Sequence, residues 1–139
     1  MKELKALNKR TAPKSVMPEK IIQFGEGNFL RAFVDWIIWN TDQKTDFNGS
    51  VVVVQPIERG MADWLNGQDC LYHVNLQGKE NGEPVNTLQR IDVISRALNP
   101  YSQNQAFMAL AEQPEIRFVI SNTTEAGIAY DDSCKFADA

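Results

Sequence analysis

The sequence predicts an α/β fold built on a mainly parallel sheet, and three observations support this prediction. Residues 20–24 form a short apolar run that ends at Gly25, and a second run, Val51–Val54, is entirely apolar and β-branched. Between them, apolar residues recur at helical spacing. Because a strand that is buried on both faces shows no polar alternation, this order of strand, helix and buried strand indicates one βαβ unit.

The helix of this unit has a defined apolar pattern and predicted ends. Asn28 is the predicted N-cap, and the helix is expected to end near Asn40. The segment that follows contains Asn48-Gly49 and has the composition of a loop. The apolar residues that recur at helical spacing are Phe29, Leu30, Phe33, Val34, Ile37 and Ile38.

The second half of the chain predicts an inserted antiparallel hairpin and then one more helix and strand. The runs DCLYHVNLQ and PVNTLQRIDVISRAL are predicted strands on either side of GKENGE, where Asn81-Gly82 is a turn signal. Ser102 and Gln105 have the spacing of a capping box for a helix that Pro114 stops. A last apolar strand, Ile116–Ser121, then leads into the polar turn NTTEAG.

Composition and charge limit the class of protein. The chain has 139 residues, which fits one domain, and its hydrophobic share of 43% is enough for a core. The net charge is −4 with no basic cluster, so nucleic acid is not an expected partner. No apolar run is long enough to span a membrane, so a membrane is not expected either. Residues 1–19 are basic but lack the apolar core of a signal peptide, and they are interpreted as a solvated lead-in.

The cysteines and the histidine give no sign of catalysis or metal binding. Cys70 and Cys134 are far apart and are expected to be free thiols, which fits a cytoplasmic location. His73 alternates with apolar residues in a predicted strand and should lie on its polar face. Without a cluster of acids or cysteines beside it, His73 is not expected to bind a metal, and no metal site is predicted.

The two glycines after the first strand predict a phosphate-binding loop. Gly25 can adopt a backbone conformation that other residues avoid, and Gly27 lets a ligand approach the main chain. The helix that follows presents unpaired N–H groups and the positive end of its dipole, which suit a pyrophosphate. Arg31 lies in the first turn. It is expected either to contact a phosphate or to pair with Glu26 within the loop.

The loop departs from the usual dinucleotide fingerprint in two ways. The third glycine of G-x-G-x-x-G is replaced by Leu30, and no acid ends the second strand. Gln55 occupies that place and is a candidate to bind a ribose hydroxyl. Glu58 favours NAD by repelling a 2′-phosphate, whereas Arg59 leaves NADP open. The predicted cofactor is NAD.

Several blocks of the sequence together resemble one family. GEGNFLRAF resembles the G-x-G-x-F-x-R-A signature of the long-chain polyol and mannitol dehydrogenase family, which itself lacks the third glycine. FVISNTTEAGI resembles the strand of that family that ends in a T-E-x-G turn. The resemblance runs from about Glu19 to Ala139. It implies a Rossmann-type, mainly parallel sheet, present here as a partial domain with the antiparallel hairpin inserted.

The resemblance also implies an activity and a division of the protein. The activity would be the NAD-linked interconversion of D-altronate and D-tagaturonate, small sugar acids of hexuronate breakdown. In this family a lysine acts as acid and base, helped by an asparagine and a histidine, and all three lie in a later helical domain. Nothing in this chain matches them. Residues 20–139 are therefore expected to be the N-terminal part of the cofactor domain, without catalytic residues.

The predicted cofactor-binding residues follow from the loop and the resemblance. Thr123, Thr124 and Glu125 are expected to contact the nicotinamide ribose or to shape the substrate pocket, the alternative being a helix N-cap. A second functional class also stays open, namely a non-catalytic α/β module that uses the same loop for another nucleotide or an anion. The complete predicted set is Gln23, Phe24, Gly25, Glu26, Gly27, Asn28, Phe29, Leu30, Arg31, Gln55, Thr123, Thr124 and Glu125.

Overall fold

The computed structural model describes residues 5–123, 128, 132, 133 and 135. This part of the chain contains six strands and three α-helices, which agrees with the predicted α/β fold. The strands are β1 Glu19–Phe24, β2 Ser50–Val54, β3 Tyr72–Glu80, β4 Glu83–Ile91, β5 Ile94–Leu98 and β6 Phe118–Ser121. The helices are α1 Asp35–Lys44, α2 Ala62–Gly67 and α3 Asn104–Met108.

Four strands form a parallel sheet in the order β5-β2-β1-β6. The prediction of a mainly parallel sheet is therefore confirmed. When the hairpin is left out, the order is third, second, first, fourth, which is one half of a doubly wound dinucleotide-binding sheet with the next strand added. The strand order reverses between β1 and β6, so their carboxyl ends lie side by side at the place where such sheets bind ligands.

The centre of the sheet is β2, which is buried on both faces as its all-valine run predicts. Each of Val51–Val54 is at most 1% exposed. Alternate valines enter two different apolar clusters. On one face Val51 and Val53 pack with residues such as Ile21 and Ile94, whereas Val52 and Val54 pack on the other face with residues that include Ile22, Leu98 and Leu110.

The first helix begins and ends at different residues from those predicted. It starts with a π-helical turn, Leu30–Val34, that continues into α1. Asn28 is not its N-cap, because the Arg31 N–H bonds to the Gly27 carbonyl and the Asn28 amide oxygen accepts from the Arg31 side chain instead. The predicted end near Asn40 is also wrong, since α1 runs to Lys44. Its last turn is polar, and apolar periodicity does not reveal a polar turn.

Only half of the predicted apolar pattern of this helix faces the core. Leu30 and Ile38 are buried, but Phe29, Phe33 and Ile37 are 56%, 52% and 43% exposed. The rings of Phe29 and Phe33 are in contact, with centroids 5.4 Å apart. Residues 29, 33 and 37 therefore form a stripe, one turn apart, on the outer side of the helix.

The antiparallel hairpin is confirmed, with β3 and β4 paired throughout and Asn81-Gly82 at the turn. Both turn residues have positive φ, as a tight two-residue hairpin turn requires. The prediction of one strand through PVNTLQRIDVISRAL is wrong, because the chain leaves the hairpin after Ile91 and joins the parallel sheet as β5. At this break the Asp92 carboxylate accepts from the N–H and the hydroxyl of Ser15, and it thereby fixes the change of direction.

The capping box predicted at Ser102 is also wrong. The residue before α3 is Gln103, which makes no capping side-chain bond, and the Ser102 hydroxyl donates to the Asn99 carbonyl at 3.4 Å. The helix is short, and a 3₁₀ turn, Ala109–Glu112, follows it before Pro114. Ser102 belongs to the turn after β5, where its N–H also donates to the Asn99 carbonyl at 3.1 Å.

The segment before β1 is bound to the sheet and is not the fully solvated lead-in that its charge predicts. Lys14 Nζ donates to the carbonyls of Asp69 and Ser95, at 2.6 and 2.9 Å. The Ser50 hydroxyl donates to the Met17 carbonyl at 3.0 Å. The residues described before β1 therefore contact the amino ends of β2 and β5, whereas the glycine loop lies at the carboxyl end of the sheet. None of the described helices is long and apolar enough to cross a membrane.

Candidate functional site

Gly25 makes the turn at which the chain leaves β1. Its φ is 113°, a region that residues with a β carbon rarely adopt, and its N–H donates to the Val54 carbonyl at 2.9 Å. A β carbon at this position would also lie 3.1 Å from Leu30 Cδ1. The first glycine is therefore required by the backbone of the turn, as the sequence predicts.

Gly27 lies at the exposed start of the helix and has free space beside it. A β carbon at this position would have no neighbouring atom within 4 Å. The Gly27 carbonyl accepts the Arg31 N–H at 3.1 Å, so the first N–H groups of the helix follow directly after it. The loop thus leaves an open cradle where an anion can approach the backbone.

Arg31 holds the loop together with its side chain. Its Nε donates to the Glu26 backbone carbonyl at 2.8 Å, and its Nη2 donates to the Asn28 amide oxygen at 2.7 Å. The guanidinium carbon also lies 5.9 Å from the centroid of the Trp64 ring and 5.6 Å from that of Tyr72. Of the two predicted roles, the one within the loop is the one observed, although the partner is the backbone of Glu26 and not its carboxylate.

Glu26 connects the glycine loop to the loop after β2. Its side chain is buried, and its Oε1 accepts the Met61 N–H at 3.2 Å. Gly60 packs directly against this carboxylate, and a β carbon on Gly60 would overlap Glu26 Oε1. Glu26 is therefore a brace between two loops, with little surface left for a ligand.

Gln55 is buried at the end of β2, and its amide is occupied by its own loop. Nε2 donates to the carbonyls of Ile57 and Glu58 at 2.7 and 2.9 Å, and Oε1 accepts the Ala62 N–H at 3.0 Å. Both Nε2 hydrogens are used, so the predicted bond from Gln55 to a ribose hydroxyl would have to use the second lone pair of Oε1. In this structure Gln55 orders the loop that carries Glu58.

A cavity of about 450 Å³ opens at the carboxyl end of β2, beside this loop. Glu58 and Arg59 both line this cavity. They carry opposite charges, and both bear on the choice between NAD and NADP. Asn99, which follows β5, also lines this cavity, and its side-chain amide donates to the Glu58 carbonyl at 3.3 Å. The other residues that line the cavity are Gln55, Gly60, Met61 and Asp63.

Beneath the glycine loop lies a buried polar group of Gln23, Asp35 and Tyr72, of which only Gln23 is among the predicted site residues. Gln23, a predicted cofactor-binding residue, is fully buried in this structure. Its Nε2 donates to the Gly25 carbonyl at 3.2 Å and to Asp35 Oδ2 at 3.4 Å. Tyr72 Oη lies 3.2 Å from the same carboxylate oxygen and 2.9 Å from the Arg31 carbonyl oxygen. A signal for this group was present, because Asp35 interrupts an apolar stretch four residues after Arg31.

Burial controls the ionisation of this group. It raises the pKa of Asp35 to about 7, and the hydrogen bonds from Tyr72 and Gln23 and the charge of Arg31 oppose that rise only in part. Burial and the neighbouring Asp35 carboxylate also raise the pKa of Tyr72. Asp35 therefore changes charge near neutral pH, whereas Tyr72 keeps its proton there.

The remaining predicted site residues lie at the ends of β1 and β6. Ser121 pairs with Phe24, so the carboxyl end of β6 lies beside the glycine loop. The hydroxyls of Ser121 and Thr123 are 3.0 Å apart on the exposed turn after β6. Thr124 and Glu125 lie outside the described residues. Phe24 is half-buried, where its ring meets that of Phe107 edge-on with centroids 6.1 Å apart.

The histidine and the described cysteine lie as the sequence predicts. His73 is exposed on β3, with buried residues on either side of it in the strand. Cys70 is a buried free thiol, and burial raises its pKa to about 11, so it is not a nucleophile at neutral pH. Cys134 lies outside the described residues.

A parallel sheet of this strand order, with a glycine loop where the order reverses, defines the class of Rossmann-type α/β domains. Within this class the chain belongs to the mannitol dehydrogenase Rossmann domain family, which it matches over residues 19–137. The resemblance to the polyol and mannitol dehydrogenase family is therefore confirmed. The alternative of an unrelated binding module is not favoured.

Relatives and solved structures agree with this assignment. The chain is 76% identical to an altronate oxidoreductase of Phocaeicola vulgatus and 50% identical to one of Escherichia coli, each over 98% of this chain. It spans only 28% of the length of these relatives. Its fold matches a mannitol 2-dehydrogenase of Pseudomonas fluorescens, solved with NAD and D-mannitol, at a TM-score of 0.71 and 26% identity. That match covers 91% of this chain and 28% of the other.

A second solved structure, a D-sorbitol dehydrogenase in substrate-free form, matches at a TM-score of 0.70 and 23% identity. It covers 87% of this chain and 25% of the other. This likeness supports the fold.

Proposed function

We propose that this domain binds NAD, with the pyrophosphate in the glycine loop between β1 and the first helix. The observation that carries the proposal is the open cradle at Gly27, where a β carbon would meet no protein atom and where the first N–H groups of a helix begin. The likeness to a dehydrogenase solved with NAD supports the same assignment. When bound, NAD would supply hydride transfer to or from a substrate carbon.

The predicted site residues divide into two roles under this proposal. Gly25, Gly27 and the first N–H groups of the helix would contact the pyrophosphate, and Thr123, Thr124 and Glu125 would lie towards the nicotinamide. Gln23, Glu26, Asn28, Leu30 and Arg31 would keep the loop in shape from behind, as would Gln55 for the loop that holds the ribose. The exposed ring of Phe29 and the half-buried ring of Phe24 would flank the loop.

We further propose that the domain belongs to an oxidoreductase that interconverts D-altronate and D-tagaturonate. The support is the 76% and 50% identity to altronate oxidoreductases. Residues 20–139 would be the N-terminal part of the cofactor domain, and the lysine that moves the proton would lie in a helical domain elsewhere in a longer protein. The protein would act on sugar acids in the cytoplasm, where Cys70 would stay a thiol.

Titration calorimetry with NADH tests the proposed cofactor site. In the whole polypeptide that contains this sequence, Gly27→Ala should weaken NADH binding at least about tenfold, a loss of about 1.4 kcal/mol, because the methyl group occupies the phosphate cradle. The melting temperature should stay the same, since the methyl group meets no protein atom. Gly78→Ala is the matched control, because its β carbon also has no neighbour within 4 Å and it lies in the hairpin. Equal affinity of the Gly27 variant would place the pyrophosphate elsewhere.

Assays of turnover test the proposed activity and the division of the protein. The whole polypeptide should reduce D-tagaturonate at the expense of NADH. A chain limited to the 139 residues should show no turnover above background, because it lacks the proton-transfer lysine. Turnover by the purified short chain would refute the division proposed here.

A further inference from the structure

The buried group beneath the glycine loop joins three elements. Gln23 comes from β1, Asp35 from α1 and Tyr72 from β3, and the first two are fully buried. Among the described residues, Asp35 Oδ1 and Gln23 Oε1 have no hydrogen-bond partner. A buried carboxylate is normally surrounded by donors, so a site this poor in donors suits the neutral acid better than the ion.

Tyr72 has one proton and two acceptors. Its Oη lies 2.9 Å from the Arg31 carbonyl oxygen and 3.2 Å from Asp35 Oδ2. When Asp35 is neutral, its hydroxyl can donate to Tyr72 Oη, and Tyr72 then donates to the Arg31 carbonyl. When Asp35 is ionised, its carboxylate competes with that carbonyl for the same proton. The charge of Asp35 therefore decides which bond Tyr72 makes.

Two paths lead from Asp35 to the glycine loop. One passes through Gln23 Nε2, which donates both to Asp35 Oδ2 and to the Gly25 carbonyl. The other passes through Tyr72 to the π-helical turn at Arg31, whose side chain holds Glu26 and Asn28. A change at Asp35 thus reaches both ends of the cradle.

We propose that Asp35 is a positioning residue whose protonation controls how tightly the glycine loop holds the cofactor. The neutral acid keeps Tyr72 on the Arg31 carbonyl and Gln23 on the Gly25 carbonyl, which preserves the cradle. The ionised acid takes the Tyr72 proton from the Arg31 carbonyl and strengthens its bond with Gln23 Nε2 at the expense of the Gly25 carbonyl. The cradle is then held less tightly. This inference rests on the proposed binding of NAD to that loop.

The groups around Asp35 set its pKa, and therefore the pH at which it loses its proton, near neutrality. Arg31, on the same helix, is the charged side chain that acts on Asp35, and it favours the ion. Tyr72 is the titratable group that faces it from the hairpin, and Gln23 of β1 is neutral. Cys70, next to the hairpin, acts on Tyr72. Burial outweighs these groups and raises the pKa of Asp35 to about 7.

Calorimetric titration of the whole polypeptide with NADH, from about pH 6 to about pH 8.5, tests the proposal. The dissociation constant of the wild type should rise about fivefold across this range, whereas that of Asp35→Asn should change less than about twofold. The asparagine is neutral at every pH and keeps the shape of the acid. Asp42→Asn is the matched control on the same helix and should keep the wild-type rise. A rise that persists in Asp35→Asn overturns the proposal.

Tyr72→Phe tests the second path without touching the carboxyl group. It should bind NADH more weakly at the acid end and lose most of the rise with pH, because the Arg31 carbonyl has lost the hydroxyl. An unchanged wild-type profile in Tyr72→Phe overturns the proposal as well. A purely structural role would lower the affinity of both variants equally at every pH and leave the slope unchanged.

A second readout separates this inference from the proposed function. If the wild type binds no NADH at any pH, the proposed function fails, and glycine-selective ¹⁵N labelling then decides the role of Asp35. The amide signals of Gly25 and Gly27 should shift with a midpoint near neutral pH in the wild type and stay fixed in Asp35→Asn. Signals that do not move in the wild type, or that still move in the variant, refute the role of Asp35.

Discussion

Gly60 lies against the Glu26 carboxylate with no room for a side chain between them. A β carbon at position 60 would overlap Glu26 Oε1, and it would come within 2.5 Å of Gln55 Cδ. The Met61 N–H next to it donates to the same Glu26 oxygen. The loops after β1 and β2 are therefore clamped together at a single glycine.

We expect Gly60→Ala to lower the free energy of unfolding by about 1–3 kcal/mol, because two buried side chains must move to admit one methyl group. Urea denaturation of this variant measures the loss. Gly67→Ala is the control, since its β carbon would have no neighbour within 4 Å. Equal midpoints for the two variants would contradict the clamp.

Arg31→Lys should weaken NAD binding by about 1–2 kcal/mol, although the charge is conserved. A lysine has a single nitrogen and cannot serve both the Glu26 carbonyl and the Asn28 amide oxygen, so the cradle loses one of its two supports. Arg59→Lys, at an exposed position, should have a smaller effect on NAD affinity. Calorimetric titration with NAD compares the affinities of the two variants. Full NAD affinity in Arg31→Lys would show that the loop keeps its shape without the arginine.

The cavity at the end of β2 should prefer NAD to NADP. Glu58 lines it and would repel a 2′-phosphate, so Glu58→Gln should raise the affinity for NADP several-fold and leave that for NAD nearly unchanged. Parallel titrations of the wild type and of Glu58→Gln with NAD and with NADP measure the ratio of the two affinities. If the wild type binds NADP more tightly, Arg59 and not Glu58 faces the ribose.

The stability of the fold should fall as the pH rises towards neutrality, because of Asp35. Its pKa is about 7 in the folded chain and about 4 in an unfolded one, so the folded state holds the extra proton between these values. The stabilising effect of the neutral acid is therefore complete below about pH 4 and is lost by about pH 8. Asp35→Asn should gain about 2–4 kcal/mol relative to the wild type over this range.

Urea denaturation at a series of pH values measures this gain. Asp46→Asn, which replaces an exposed carboxylate, should follow the wild-type curve. Parallel curves for the wild type and Asp35→Asn would mean that Asp35 titrates in the folded state as it does in the unfolded chain.

The parts of the fold that were predicted correctly are those with a local signal. Three features can each be predicted from a few adjacent residues, namely the all-valine run of β2, the apolar start of β1 and the Asn81-Gly82 turn. The turn at Gly25 is of the same kind, since its φ follows from a glycine directly after a strand. These features needed no knowledge of which residues become neighbours.

The parts that were missed depend on distant neighbours. The break at Asp92 is fixed by Ser15, 77 residues away in the chain, and the Asp35–Tyr72 contact spans 37 residues. Helix α2 has little apolar periodicity and is held by contacts such as that of Asn66 with the Ala97 carbonyl. The bonds of the Gln55 amide could not be predicted either, because nothing in the sequence places this amide within reach of three backbone groups of its own loop.

The inserted hairpin also changes the cost of closing the sheet. β2 and β5 pair through Val51 and Ile94, so the whole hairpin lies in the connection between them. Pairing Tyr72 with Ile91 removes roughly half of that connection from the open loop, and halving a loop lowers its closure entropy cost by only about 0.6 kcal/mol. A hairpin zips within microseconds, much faster than parallel strands distant in sequence find each other. The insertion therefore lengthens the chain between these strands with little penalty to the rate at which the sheet assembles.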